Sequence, residues 1–351
     1  MLSLRLRWLR SRRMRVSDVL APWQQRVYDQ AAAALDAGRL PHGLLFAGPA
    51  RLGKRAVAEK LAMRALCSAR AVGEEACGEC RSCKLYQSRN QMDPVETRPD
   101  GTLAHPDGHP AHPDARFISY CLNEKTHKMR SEIVIEQIRS MSGKLSLTSQ
   151  YGENQVAIIE PADAINHAAC NALLKTLEEP QPGRFLWLVS AQPARLPATI
   201  RSRVQVLEFR LPPEDEARTW LIAQGHPARQ ADEALEIARG HPGLAHQWLE
   251  QGALALRAEV ASDLDRLTRE GAAAAGIAQH WAGDDDAVLR LRFAADVAAE
   301  RARAAAGQDV RQLAVWFDKA NRTRELLRTT IRSDLAVLDL LLAWPSSGTK
   351  R

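Results

Sequence analysis

The sequence predicts an α/β domain built on a parallel sheet, followed by an all-helical region. Three observations carry that expectation. Short apolar runs at 44–47, 155–159, 185–189 and 204–209 alternate with segments of helical spacing, as in a parallel sheet covered on both faces. The loop after the first run is bounded by Gly48 and Gly53 and leads into a helix, the strand–loop–helix order of a phosphate-binding loop. Beyond Leu211-Pro212-Pro213 the chain turns Ala/Leu/Arg-rich, keeps helical spacing and shows no convincing strand.

In chain order, Leu20, Trp23, Val27, Ala31 and Ala34 recur every three to four residues and predict a helix from about Ser17 to Gly38. Leu44 to Ala47 follows as a buried strand. Val57, Leu61, Ala62, Ala65 and Leu66 then predict a helix from Lys54 to Leu66. Residues 91–116 are rich in Pro, Asp, Gly and His and read as an inserted surface loop, followed by a strand at Phe117 to Tyr120. Ile133, Ile135, Ile138 and Met141 predict a helix, Gln155 to Ile159 a buried strand, and Ala164 to Leu177 a helix stopped by Pro180. Phe185 to Val189 and Val204 to Phe209 complete the strands. Glu214 to Gly252 should hold about three short helices, broken at Gly225 and Gly240-His241-Pro242-Gly243. A second helical block runs from Ala253 to Trp344.

Charge excludes less than it first suggests. The chain has 351 residues, with 48 Lys+Arg against 42 Asp+Glu and a formal net charge of +6. Five of those bases (Arg5, Arg7, Arg10, Arg12, Arg13) lie in residues 1–13, which hold no acid, leaving 43 bases against 42 acids. A nearly neutral body gives no electrostatic argument for DNA binding on its own. Residues 1–13 are expected to be a leader, either upstream of a true start at Met14 or a disordered arm, with a targeting role as the remaining alternative. No apolar run approaches the roughly 18 residues that cross a membrane, so a soluble protein is expected. No short apolar segment with a small-residue cleavage site points to secretion, so a cytoplasmic location is expected.

Residues Gly48-Pro49-Ala50-Arg51-Leu52-Gly53-Lys54-Arg55 fit GxxxxGK[ST] except at its last position. In a working loop the backbone N–H groups cradle phosphates, the Lys reaches the β/γ-phosphates and the hydroxyl holds Mg²⁺. Arg55 cannot ligate Mg²⁺ and adds a positive charge where the ion would sit. After the next buried strand the usual acidic pair is replaced by Glu160-Pro161, where Glu160 alone could reach a metal through water. Two independent losses favour a retired nucleotide site, its loop shape kept without bound nucleotide.

Cys67, Cys77, Cys80 and Cys83 suit a closed, structural tetrahedral Zn²⁺ site. Cys121, at a strand end, and Cys170, within a helix, are expected to be buried thiols. His105, His109 and His112, interleaved with Asp107 and Asp114, are expected to be solvated surface rather than a metal site. The helix Asn171-Ala-Leu-Leu-Lys-Thr-Leu-Glu-Glu-Pro180 and the segment Thr199-Ile-Arg-Ser-Arg-Val204 stand out as strings.

Together, LPHGLLFAGP at 40–49, the four-cysteine module, NALLKTLEEP at 171–180 and LPATIRSR at 196–203 resemble the clamp-loader subunits of bacterial DNA polymerase III, and among them the delta-prime family. The resemblance covers residues 14–345 and is weakest in the C-terminal block, where Asp339-Leu340-Leu341-Leu342 matches best. It implies an AAA+-like α/β domain at 14–209 with the zinc module at 67–83 and an insertion at 91–113 before His112-Pro113-Asp114. A three-helix lid at 210–252, a helical collar at 253–345 and a tail at 346–351 would follow. It implies that Ser190 stands at the sensor-1 position and Gly243 at that of the sensor-2 arginine, which is absent. It also implies that Ser202-Arg203-Val204 retains the arginine of a Ser-Arg-Cys motif. Arg203, supported by Ser202, would act in trans on ATP bound by a neighbour, without ATPase activity in this chain. Implied partners are gamma/tau and delta subunits and, through the complex, the beta sliding clamp and primer–template DNA. Two rival readings are an active gamma/tau-like ATPase and a zinc-ribbon DNA-binding module.

Overall fold

The computed structural model describes residues 19–90, 108–123, 126, 128–270, 274–327 and 331–345. The expected leader at 1–13, the tail at 346–351 and residues 91–107 of the expected insertion lie outside them. The chain divides into two compact units, one formed by residues up to 225 with 235–244, the other by 226–234 and residues from 245 onward.

The first unit begins with α1 (Pro22–Asp36), β1 (Gly43–Ala47), α2 (Lys54–Leu66), α3 (Arg81–Gln87), β2 (Arg89–Asn90), β3 (His109–Pro110) and β4 (Ala115–Ile118). It continues with α4 (Ile135–Leu145), β5 (Gln155–Ile159), α5 (His167–Glu178), β6 (Arg184–Ser190), α6 (Ala198–Arg201), β7 (Gln205–Glu208) and α7 (Glu214–Ala223). Five strands form one parallel sheet in the order β4-β5-β6-β1-β7, while β2 and β3 pair separately as an antiparallel ribbon.

The central strands are apolar through their middles because both faces are covered. Leu44, Phe46, Val156, Ile158, Trp187 and Val189 alternate onto the face packed by Tyr28 and Ala31 of α1 and by Val57 and Leu61 of α2. The intervening Leu45, Ala47, Ala157, Ile159, Leu186 and Leu188 meet Ile138 and Met141 of α4 and Leu173 and Leu177 of α5. Period-two alternation thus persists in the packing although hydrophobicity hides it in the sequence.

Several boundaries shift for local reasons. Helix α1 starts at Pro22 rather than near Ser17, because proline suits the first helical turn and Gln24 Oε1 accepts a bond from the Ala21 N–H at 3.0 Å. Helix α5 starts at His167, capped by Asn166, whose side chain accepts from the Ala169 N–H at 2.9 Å; Ala162–Ala164 is a separate 3₁₀ turn. Ile133 lies outside α4 and bridges to Ile165. The strand expected at 117–120 runs over 115–118. Helix α3 and the β2–β3 ribbon were not expected.

After β7 the described residues contain no further strand. Helices α8 (Ala228–Ile237) and α9 (Pro242–Gln251) join α7 as the three expected over 214–252. Then follow α10 (Ala253–Glu270), α11 (Ala274–Ala282), α12 (Ala287–Ala304), α13 (Gln308–Leu326) and α14 (Ser333–Leu342). Within the second unit α12 packs on α10 and α13, and α11 on α14. Three of its buried tryptophans satisfy the indole N–H: Trp281 donates to Asp263 at 2.9 Å, Trp316 to the Leu340 carbonyl at 2.9 Å, and Trp344 to Thr268 at 2.8 Å.

Candidate functional site

The glycine loop leaves the C-terminal end of β1 and enters α2, as expected. Gly48 (φ +145°) and Gly53 (φ +79°) are demanded by close approach as well as by conformation: a Cβ would collide with the Phe209 carbonyl at the first and the Gln24 side chain at the second. The N-terminal turn of α1 holds the loop from outside, since Trp23 Nε1 and Gln24 Nε2 both donate to the Leu52 carbonyl at 3.1 Å.

Two of the loop's cations, Lys54 and Arg55, are bound internally. Lys54 is buried, and its ammonium donates to the carbonyls of Gly48 at 2.7 Å and Pro49 at 2.6 Å. Burial lowers its pKa, against the opposing charges of Glu160 and Asp163. Arg55 Nε donates to Glu59 at 2.7 Å, its NH1 lies 3.5 Å from Glu160 Oε2, and its guanidinium stands over the Phe117 ring at 5.3 Å. Glu59 also takes Arg89 at 2.6 Å. Burial raises the pKa of Glu160, with Arg55 pulling it down. The two residues expected to mark a degraded metal site therefore face each other as an ion pair. Ser190, at the end of β6, donates to Asp163 Oδ1 at 2.6 Å, and the Ala191 N–H joins at 3.0 Å.

Residues 241–243 of the same unit lie on this loop. His241 Nε2 donates to the Ala50 carbonyl at 2.8 Å while its Nδ1 accepts from the Leu244 N–H at 3.2 Å, which fixes the tautomer. Burial lowers the His241 pKa, with the bond to Ala50 opposing. A Cβ on Gly243 would collide with the Arg51 carbonyl, so this arrangement has no room there for any side chain, let alone an arginine.

Arg203 lies elsewhere on the sheet. It precedes β7, which runs parallel to β1, and its carbonyl sits beside Gly43 at the start of β1. The phosphate loop begins at the other end of β1, five residues and about 16 Å away at the usual strand rise. Arg203 NH2 pairs with Glu178 Oε1 of α5 at 2.7 Å, and NH1 donates to the Thr199 carbonyl at 2.9 Å and to Ser202 Oγ at 3.3 Å. Both partners of the ion pair are solvent-accessible, the side chains 37% and 48% exposed. Ser202 and Arg203 are thus together, as expected; Glu178 is the additional residue that holds them.

The four cysteines converge between the end of α2 and the start of α3. Cys67 Sγ lies 3.6 Å from Cys77 and 3.9 Å from Cys80, and Cys77 lies 4.0 Å from Cys83. Four thiolates at about 2.3 Å from a tetrahedral metal would stand roughly 3.8 Å apart. Backbone N–H groups of Cys77, Cys80 and Cys83 point at Sγ of Cys67, Cys77 and Cys80 at 3.3–3.5 Å, donors suited to thiolate charge. For Cys80, burial resists ionisation, yet bonds from Cys83 and Ser68 prevail and bring its pKa down to about 6. Burial foremost raises that of Cys83 in the metal-free cluster. The donor set fits a closed structural metal site.

The expectation of solvated surface fails at His112 and Asp114, which are buried. His112 Nδ1 accepts from the Asp114 N–H at 3.0 Å, so Nε2 donates to Ser82 Oγ at 2.7 Å, and Ser82 donates to the Leu66 carbonyl at 2.5 Å. The Asp114 carboxylate accepts from the N–H groups of Gln150 and Tyr151 at 2.9 Å. Because Ser82 sits between Cys80 and Cys83, this chain of bonds ties the cysteine cluster to the edge of the sheet. His105 and Asp107 lie outside the described residues. Cys170 is buried as expected, whereas Cys121 is only half-buried.

Residues 23–213 match the family described as DNA polymerase III, delta subunit. DNA polymerase III subunit delta' of Pseudomonas aeruginosa is 34% identical over 262 residues, 74% of this chain and 70% of that protein. Its counterpart in Haemophilus influenzae is 32% identical over 234 residues, 66% of this chain and 62% of that protein, so the match spans less than two thirds of the latter. Among solved structures, a gamma-subunit-related protein of DNA polymerase III from Thermotoga maritima is 14% identical with a TM-score of 0.45, covering 89% of this chain and 97% of that one.

Proposed function

Since this chain belongs to the DNA polymerase III delta-prime family, we propose that it is the non-hydrolysing subunit of a clamp loader and lends Arg203 to the ATP site of a neighbouring subunit. The observation that carries this reading is the division of cations in the first unit. Lys54 is engaged by its own loop's carbonyls and Arg55 by Glu59 and Glu160, so neither of these cations is free to take a γ-phosphate. Arg203 stands about 16 Å from its own loop, on the opposite end of the sheet, so a phosphate it reaches belongs to another chain. There it would place positive charge against the charge developing on the transferred phosphoryl group.

The cysteines would hold one structural Zn²⁺, keeping α3 and the sheet edge in register. Residues 210–252 would act as a lid and 253–345 as a collar meeting gamma/tau and delta subunits. Contact with the beta sliding clamp and primed DNA would come through that complex. The near-neutral body disfavours the rival of a free-standing DNA-binding module, and the Arg55–Glu160 pair disfavours an active ATPase.

The test is turnover by the purified chain with Mg-ATP. No hydrolysis above background is expected; turnover abolished by Lys54→Ala would contradict the reading.

A further inference from the structure

Three metal-ligating side chains converge within the second unit. His226 lies just ahead of α8, while His246 and Glu250 lie one turn apart on α9, the i and i+4 spacing that puts two ligands on one helix face. His226 Nε2 is 2.8 Å from His246 Nδ1 and 3.9 Å from Glu250 Oε1, and one ligand atom from each lies within 4.8 Å of the other two. We propose that these residues form a second zinc site, unrelated to the four cysteines.

Chemistry and spacing both favour it. Two imidazoles and a carboxylate are a common zinc set, leaving the fourth tetrahedral position to water. With bonds of 2.0–2.2 Å, neighbouring ligand atoms in such a site stand about 3.3 Å apart. The His226–His246 and His226–Glu250 distances fall on either side of that value, and the third pair lies within 4.8 Å, so side-chain rotation has to bring the carboxylate inward. The His226 side chain is 10% exposed, its ring meets that of His246 edge-on at 5.0 Å, and this packing fixes the directions of both ring nitrogens. Glu250, 58% exposed, has room to swing its carboxylate inward.

The 2.8 Å approach places one ring N–H between the two nitrogens, and zinc binding would send that proton to the distal nitrogen of the same ring or to solvent. The bound ion would staple the segment preceding α8 to the last turns of α9. Those parts are twenty residues apart in sequence. Coordination would thus replace a weak polar contact with one that depends on metal supply.

The test uses the full-length chain dialysed against Zn²⁺ buffered in the low micromolar range, with metal counted by elemental analysis. Two ions per chain are expected, one at the cysteines and one here. His226→Gln with His246→Gln should keep one ion and lose the rise in Tm that the second equivalent gives the unsubstituted chain. Glu250→Gln changes an exposed side chain and leaves packing intact, so it serves if the double variant fails to fold; it should weaken the second equivalent about tenfold or more. One ion in the unsubstituted chain, or a second ion held equally tightly by these variants, would overturn the proposal.

Discussion

The phosphate loop and the Arg203 edge present the same chemical groups in opposite ways. At the loop, Lys54 is buried on two backbone carbonyls, Arg55 is neutralised by two glutamates, and His241 and Gly243 lie against the backbone from outside. At the other end of the same sheet, Arg203 is held by a carboxylate that is itself half-exposed. A buried cation without its partners costs several kcal/mol, so the first set is committed to the fold. An exposed ion pair is worth about 0–1 kcal/mol, so Arg203 exchanges Glu178 for another anion at little cost. The same sheet thus carries buried, internally paired cations at one end and a solvent-accessible ion pair at the other.

The harshest way to break this contrast is to force the loop open. Gly243→Arg cannot fit against the Arg51 carbonyl, so residues 241–244 must move off the loop. Chemical denaturation should show a loss of about 3 kcal/mol or more. A loss under about 0.5 kcal/mol would mean that this segment does not close the site.

Arg55→Ala sharpens the contrast at intermediate cost. It leaves Glu59 and the mostly buried Glu160 with one cation fewer, and about 1–3 kcal/mol should be lost. Nucleotide binding, followed by isothermal titration with Mg-ATP, should not appear in the variant. Heat of binding would show that Arg55 alone had been blocking a competent loop.

The smallest effect concerns acid. Burial depresses the pKa of His112 and of His241 below the usual 6.5, so the unfolded chain takes up protons first as pH falls. Their contribution to stability is complete above about pH 6.5 and drains away below it. The Tm of His112→Gln should therefore fall less steeply between pH 6.5 and 5 than that of the unsubstituted chain; parallel slopes would exclude His112 as a source of acid lability.

These residues also show what was legible in the sequence. The sheet was legible because two-sided burial leaves apolar runs such as 155–159, and the cysteines because ligand spacing is local. Arg55 and Glu160 could be recognised separately as misfits, but their pairing depends on β1 and β5 lying in one sheet. His112 looked like part of a solvated, proline-rich loop since no local pattern announces Ser82, thirty residues earlier, as its partner. Helix α3, at seven residues, is too short for periodicity to reveal. Gly243 reads as a helix breaker, and only the fold shows that it lies against Arg51. Likewise Glu178 belongs to a string that stands out, while its grip on Arg203 is a tertiary fact.

The most direct test of the division between relic and finger is the clamp-stimulated ATPase rate of the reconstituted clamp loader carrying either Arg203→Ala or Lys54→Ala in this chain. Arg203→Ala should lower turnover at the neighbouring site by about 10³-fold, the lower end for arginine fingers, with assembly intact. Lys54→Ala should leave turnover unchanged in complexes that assemble. The reverse pattern, activity lost with Lys54 and kept without Arg203, would contradict the account.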